Sequence, residues 1–239
     1  MPFRVSCLLE GLAVAAVADA ILLWRMPAIW IWHSVAVENL LQMAKVPWQR
    51  GREITLLPGT AARLLSTGYL DYQQHPLYPW CFVGGVGILF WIAVRRLPGP
   101  LKSLLFLLPA ALAITLIYLR TVSPAVPYTP EDFCAIWYHG ETCLWLLLPL
   151  IFAMSFFVIT VPFLLKIGYL CLLLLYSFVW SAVRLAVALA TFHYFGSIWM
   201  PFFYFAFGFL ADFLYIVAFY SLAMDRAAIF LVRQKEIWQ

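Results

Sequence analysis

Long, uninterrupted apolar runs separated by short clusters of charge and proline dominate the chain. Six of them, 5–24, 77–94, 101–119, 143–165, 167–190 and 198–223, reach or approach the roughly 20 residues that carry a helix across a bilayer core. They are continuous and Leu-rich rather than alternating, so they predict helices and not the tilted strands of a barrel. Pro98 and Pro100 break the chain after the second run, and Lys166-Ile167-Gly168 predicts a tight turn after the fourth. The second and third runs, and the fourth and fifth, are therefore expected as helical hairpins. Pro109, Pro149 and Pro162 fall within or near runs, where each removes a backbone hydrogen bond that a neighbouring helix must replace.

Composition turns these runs into a fold class. Of the 239 residues 65% are hydrophobic, 18% aromatic and only 11% charged, too few polar groups to cover a soluble domain. The expectation is an all-α polytopic membrane protein with about six transmembrane helices, 1–239 forming one integral membrane domain in contact with the lipid bilayer. The first run could be read as a secretory signal, with Arg4 ahead of it and Ala18-Asp19-Ala20 near its end. Glu10 and Asp19 inside it, and its continuation through Trp24, favour a retained helix. A net charge of +4 without any basic cluster longer than Arg95-Arg96 argues against nucleic acid as a partner.

Those cations instead set sidedness. With six spans, one side collects Arg4, Arg95, Arg96, Lys102, Lys166, Arg226, Arg233 and Lys235, against Arg25 and Arg120 in the short opposite loops. The asymmetry places both termini in the cytoplasm. Segment 25–76, with Lys45, Arg50, Arg52 and Arg63, then lies on the outer face, as does the loop 120–142. Within the former, Ser34, Glu38 and Gln42 share one helical face, opposite Trp32, Ala36, Leu40 and Met43, the pattern of a helix lying flat on the membrane. A further span over 27–43 is the alternative, and Arg25, His33 and Glu38 weigh against it. Cys81, Cys134 and Cys143 fall towards the outer face, Cys7 and Cys171 in the inner half of their spans. In an oxidising compartment Cys134 and Cys143, nine residues apart, are the pair to expect as a disulfide.

Chemistry concentrates in the outer loop and in the few ionisable residues within apolar runs. Cys134, His139, Glu141 and Cys143 are competent metal ligands, but their spacing is no zinc signature, so no metal and no cofactor is expected. Thr142 or Glu141 suits the N-terminus of the fourth span, where the helix dipole favours a carboxylate. A nucleophilic thiol needs a base and a cation, which His193 or His139 and Arg184 could supply to Cys143. Arg184 also demands a partner wherever it sits, because a charge within an apolar span costs several kcal/mol unless it is paired or reaches the interface (about 2.5–3.5 at the helix centre). Asp19 matches its expected depth best, with Asp212 second. No chain of ionisable groups crosses the membrane, no internal repeat relates the two halves, and no histidine pair suits a haem, which argues against a pump, an ion-coupled transporter or a membrane cytochrome.

Cys143 and Arg184, 41 residues apart at the start and near the end of two successive spans, resemble the cysteine and arginine of the exosortase/archaeosortase transpeptidases. Leu144-Trp145 stand where that family has Ser-Gly, Ser181 where it has Asn, and His193 follows the arginine after nine residues. The resemblance implies catalytic roles for Cys143, Arg184 and His193. The stretch His75-Pro-Leu-Tyr-Pro-Trp-Cys-Phe-Val-Gly-Gly-Val-Gly87, with Leu147-Leu-Pro-Leu150, is similar to small non-catalytic membrane proteins associated with exosortases, over roughly residues 75–165. The expectation is thus a non-catalytic subunit or accessory of a multiprotein envelope system (sorting, secretion or conjugation) in a bacterial inner membrane, with other membrane subunits as partners. The alternative is the transpeptidase.

Overall fold

The computed structural model describes residues 5–69, 78–95, 129–157, 159 and 161–237, with isolated positions between 110 and 121. Most of the expected span 101–119, His75, and the side chains of Cys7 and Cys81 lie outside the described residues. The elements are α1 (Val5–Met43), β1 (Trp48–Leu57), β2 (Thr60–Thr67), α2 (Tyr78–Val94), α3 (Pro130–Phe156) and α4 (Phe163–Phe195). A 3-10 turn Ser197–Trp199, the single turn α5 (Met200–Phe202), a π-helical segment Phe203–Leu210 and α6 (Ala211–Ile237) follow. Among the described residues four helical stretches are long and apolar enough to cross a membrane: Leu9–Met43, Pro130–Phe156, Phe163–Phe195 and Met200–Phe230. The chain is a mostly helical membrane protein.

The first span does not stop at Trp24. Instead of a membrane helix followed by a flat one, α1 runs unbroken through Pro27 for 39 residues, about 58 Å at 1.5 Å per residue. Its distal half buries Met26, Trp30, His33, Val37 and Leu41, a face set by steps of three and four residues, while Trp32 and Met43 are exposed. The predicted apolar face was displaced because this half packs on α3 and α4. The helix ends in a Schellman cap: Val46 N–H donates to Leu41 O and Lys45 N–H to Gln42 O, each 3.0 Å, with Lys45 at φ 57°. Buried Val46 and Leu41 close the motif apolarly.

The polar stretch after α1 adds a feature the all-α expectation lacked, an antiparallel hairpin. Leu57 pairs with Thr60 around Pro58-Gly59. Proline cannot adopt the positive φ of a primed turn; Gly59 at φ 80° supplies the left-handed residue of a type II turn, and a register shift between Thr55 and Leu57 absorbs the mismatch in twist. Ala62, Leu64 and Leu65 of β2 are buried against the helices. Arg50 grips Glu38 of α1 with two bonds of 2.9 Å, and Arg52 donates its backbone N–H to Glu131 (2.8 Å) and a guanidinium N–H to Asp132 (2.9 Å). At Gly51 a Cβ would come within 2.7 Å of the Glu131 carboxylate, so the bare backbone permits this docking.

Helix α3 starts thirteen residues before the expected Cys143. Thr129 forms a capping box with Asp132, its hydroxyl accepting from the Asp132 N–H (3.2 Å) and its own N–H donating to that carboxylate (3.1 Å), with Pro130 at the first helical position. The break after α3 likewise differs from the expected one. Lys166 and Gly168 lie inside α4, and the turn falls before Phe163, where Pro162 has no N–H to continue a helix. Lys166 is buried rather than a loop cation, its ammonium donating to Phe157 O at 2.9 Å among the orphan carbonyls of α3.

The glycines provide a paired test. A Cβ on Gly11 of α1 would stand 2.8 Å from Phe157 Cβ, whereas one on Gly140 of α3 would meet nothing within 4 Å. The same substitution should act in opposite directions in thermal melts of purified protein. Gly11→Ala should destabilise by about 1–3 kcal/mol through overpacking, and Gly140→Ala should stabilise by up to about 1 kcal/mol through helix propensity.

Candidate functional site

Ser177, Ser181, Arg184 and Ala188 follow one another at steps of four, three and four on α4 and are all buried. This face meets Trp137, Glu141 and Trp145 of α3, His33 of α1, and the π segment with Asp212 and Tyr215 beyond it. At the centre is Arg184, fully buried at 0% exposure. Its Nη2 lies 2.8 Å from Glu141 Oε1 and 2.5 Å from Asp212 Oδ1. Its Nη1 donates to Phe207 O (2.7 Å) and Gly208 O (3.0 Å), and the guanidinium carbon stands 5.1 Å from the Trp137 ring centre.

The π segment fits this role. A helical carbonyl normally accepts the N–H four residues on; the wider i→i+5 ladder disturbs that pairing and turns carbonyls towards an external donor. Gly208 packs beside Trp137, where even a Cβ would make only ordinary contacts, 3.4 Å from Phe203 O and 3.5 Å from Trp137. Arg184 thereby has carboxylates on one terminal nitrogen and backbone dipoles on the other, the kind of pairing that a buried charge requires, while its Nε and Glu141 Oε2 are buried without a hydrogen-bond partner among the described residues.

The two serines complete the polar core. Ser181 Oγ accepts from Trp137 Nε1 (3.3 Å) and lies 3.3 Å from His33 Nε2; Ser177 Oγ accepts from Trp145 Nε1 (3.1 Å) and pairs with Tyr215 OH (2.8 Å). His33 is fully buried, with the rings of Trp30, Trp145, Tyr138 and Phe178 at 5.0–5.9 Å around it. The indole N–H groups of Trp137 and Trp145 both find acceptors on the same face of α4, which fixes the rotation of α3 against it.

The residues singled out in the sequence do not gather here. Cys143 is exposed, about 200° around α3 from Glu141 at 3.6 residues per turn. Arg184 points inward, and His193 lies nine residues further along α4 with Nδ1 2.8 Å from Gly68 O. Cys134 is buried and Cys143 exposed, both as free thiols. Nine residues of one helix put them about 13 Å apart along its axis on opposite faces, beyond the reach of a disulfide. His139 turns back to Ala135 O at 2.8 Å, and among the described residues no three His, Cys, Asp or Glu side chains group as metal ligands.

Asp212 is a partner of Arg184; Asp19 is not. Because α1 continues to Met43 and meets Ser181 at His33, Asp19 lies fourteen residues, about 21 Å, below that level. Glu141 was missed as a partner because the expected start of the span at 143 left it in a loop. The signal that would have found it is Thr129-Pro-Glu-Asp132, a capping box that brings residue 141 inside the helix. No protein-family model matches the chain, and no curated protein or solved structure is significantly similar to it.

Removing the guanidinium leaves two carboxylates without their cation. Arg184→Leu should therefore lower folding stability by about 3–5 kcal/mol, read as loss of membrane-inserted protein in a pulse-chase. Combining Arg184→Leu with Glu141→Gln and Asp212→Asn should restore much of that abundance, whereas adding Asp19→Asn to Arg184→Leu should restore none.

Proposed function

We propose that the chain is a non-catalytic integral subunit or accessory of a multiprotein envelope system, of the sorting, secretion or conjugation kind, in a bacterial inner membrane. The observation that carries this reading is the closure of the ionisable core: Arg184 is fully buried and engaged with Glu141, Asp212 and two carbonyls, while Cys143 faces outwards. An arginine held this way locks helices together. A transpeptidase would need Arg184 at a reacting centre beside an activated thiol, within hydrogen-bond reach of substrate. The hairpin stapled to α1 and α3 adds a polar outer element suited to contact with other subunits.

In this reading both termini are cytoplasmic, six spans cross the bilayer, and the hairpin lies on the outer side. Reporter fusions after Lys235 and within 121–131 should give cytoplasmic and outer-side signals respectively; a cytoplasmic signal from the second overturns the orientation.

Complementation of a deletion strain separates the two functional readings. Cys143→Ala, at an exposed helical position, should restore secretion or surface sorting of envelope proteins to the wild-type level at unchanged abundance. Loss of that phenotype with normal abundance, and without a matching loss in Cys134→Ala, would favour the transpeptidase.

A further inference from the structure

Helices α1 and α4 run side by side in the same direction, since Gly11 abuts Phe157, just ahead of α4, and His33 meets Ser181 further along it. Between their lower halves, at the Lys166 end, lies an open groove of about 520 Å3 whose walls are almost wholly apolar, formed by Ala13, Val17 and Ile21 of α1 and by Phe163, Leu170 and Leu174 of α4. The α1 wall from Ala13 to Leu22 rises about 14 Å, or about two and a half helical turns.

One charge stands at the top of this groove. Steps of seven and four residues from Ala18 and Ile21 arrive at Arg25, which is exposed on the groove's own face. With His33 level with Ser181, Arg25 lies about 12 Å below that level and about 10 Å above Lys166, close to the height of Leu174. It is thus near mid-height of the apolar zone between Lys166 and Arg184, where α4 exposes Leu172 and Leu175 and α3 exposes Leu150 and Ile151. Among the described residues Arg25 makes no ion pair, and its guanidinium lies 4.2 Å from the centre of the Trp24 ring, which is 72% exposed. An indole face offers a cation a quadrupole but no counter-charge. A charge in the middle of a span stays costly until an anion pairs with it or it reaches the interface. Arg184 meets that demand within the chain, with two carboxylates; Arg25 faces outwards with none.

We propose that this groove is the docking site for a transmembrane helix of a different subunit, one that carries a carboxylate near its midpoint and sets it against Arg25. The proposal rests on the reading of the chain as a subunit of a membrane assembly and names the chemistry of its neighbour. The groove supplies an apolar seat in which Ala13 and Ala18 let an incoming backbone approach closely. The arginine supplies a charge-assisted hydrogen bond at a single height, which fixes the register of the incoming helix. A lipid fills apolar volume, but its phosphate lies at the edge of the hydrocarbon and not at this depth. A second copy in the same membrane orientation brings its acids to other heights. Among the described residues its nearest unpaired acids, Asp19 and Asp225, both lie about 9 Å below Arg25, given that Tyr215 is level with Ser177.

Energy transfer between the labelled full chain and labelled synthetic helices in phosphatidylcholine vesicles tests the site. The probe is a Leu-Ala helix of about 20 residues with Lys at both ends and one Glu at its centre. It should associate with the wild type. Replacing its Glu by Gln, or using the Arg25→Gln chain, should each weaken association about tenfold, the size expected for a lost charge-assisted hydrogen bond, with no further loss when the two are combined. A probe whose Glu is moved about 12 Å towards one end should bind no better than the Gln probe. Ala18→Phe and Cys171→Phe, which fill the groove from its two walls, should weaken binding of the central-Glu probe at least as much, while Ala16→Phe on the far side of α1 should leave it unchanged. Melting curves identify any filling variant that fails to fold, and its partner on the opposite wall then carries the test. Equal binding of the central-Glu and Gln probes by the wild type, or of the central-Glu probe by wild type and Arg25→Gln, overturns the proposal. So does energy transfer between differently labelled copies of the chain that the filling variants abolish. None of these outcomes bears on complementation by Cys143→Ala, so the docking site and the subunit reading fail separately.

Discussion

A guanidinium with no access to water has to be solvated by protein, and the central packing of this molecule follows from that requirement at Arg184. The demand reaches three elements at once. From α3 it takes a carboxylate at position 141, from α6 a carboxylate at 212, and from the intervening chain two carbonyls that an ordinary α-helix would have kept for itself. The π-helical segment Phe203–Leu210 is the local form that satisfies the last condition. The apolar run 198–223 alone would predict a regular helix.

The serines extend the same logic along α4. In a low-dielectric interior an indole N–H without an acceptor is costly, so Trp137 and Trp145, eight residues apart on α3, need acceptors within reach on the facing helix. Ser181 and Ser177 provide them in antiparallel order. With Arg184 one turn above, the contacts are Trp145 to Ser177, Trp137 to Ser181 and, crossing the latter, Glu141 to Arg184. A slide of α3 by one turn would break all three contacts together. Specificity of this kind cannot come from leucine packing alone, because between lipid and protein an apolar side chain gains little by choosing either.

The membrane class and the need of Arg184 for a partner were legible in the sequence because both rest on composition and burial cost, which are local quantities. Asp212 was legible as a candidate for the same reason. What could not be read was height, since counting depth from the ends of apolar runs assumes that helices stop where hydropathy does. Here α1 passes Trp24 and α3 starts before Cys143, both continuing as helices that pack on protein. That error promoted Asp19 and hid Glu141. The hairpin had its signal in Pro58-Gly59, and the α3 cap had its signal in Thr129-Pro-Glu-Asp132, but both were overshadowed by the stronger apolar runs. The fate of Lys166 was not legible at all: a lysine between two apolar runs resembles a loop, and only the end of α3 beside it shows why it is buried.

The two buried cations of α4 bracket an apolar zone on the outside of the helices. Lys166 and Arg184 are eighteen residues apart, about 27 Å along a helix, near the thickness of a hydrocarbon core. Between those heights α4 exposes Leu172, Leu175, Tyr176 and Val179, α3 exposes Leu147, Leu150, Ile151 and Met154, and α1 exposes Val17, Ile21 and Leu23. This apolar collar suits lipid, and each cation sits at one of its rims with its charge turned inward. Arg184, Glu141 and Asp212 thus lie where the helices leave the collar and the chain above them, the distal half of α1, the hairpin and the first turns of α3, begins to pack as a separate layer. An ion pair at that height ties the two layers together. Asp212, at 14% exposure the least buried of the three, retains access to the polar edge that a cluster of one cation and two acids needs more than a neutral pair would.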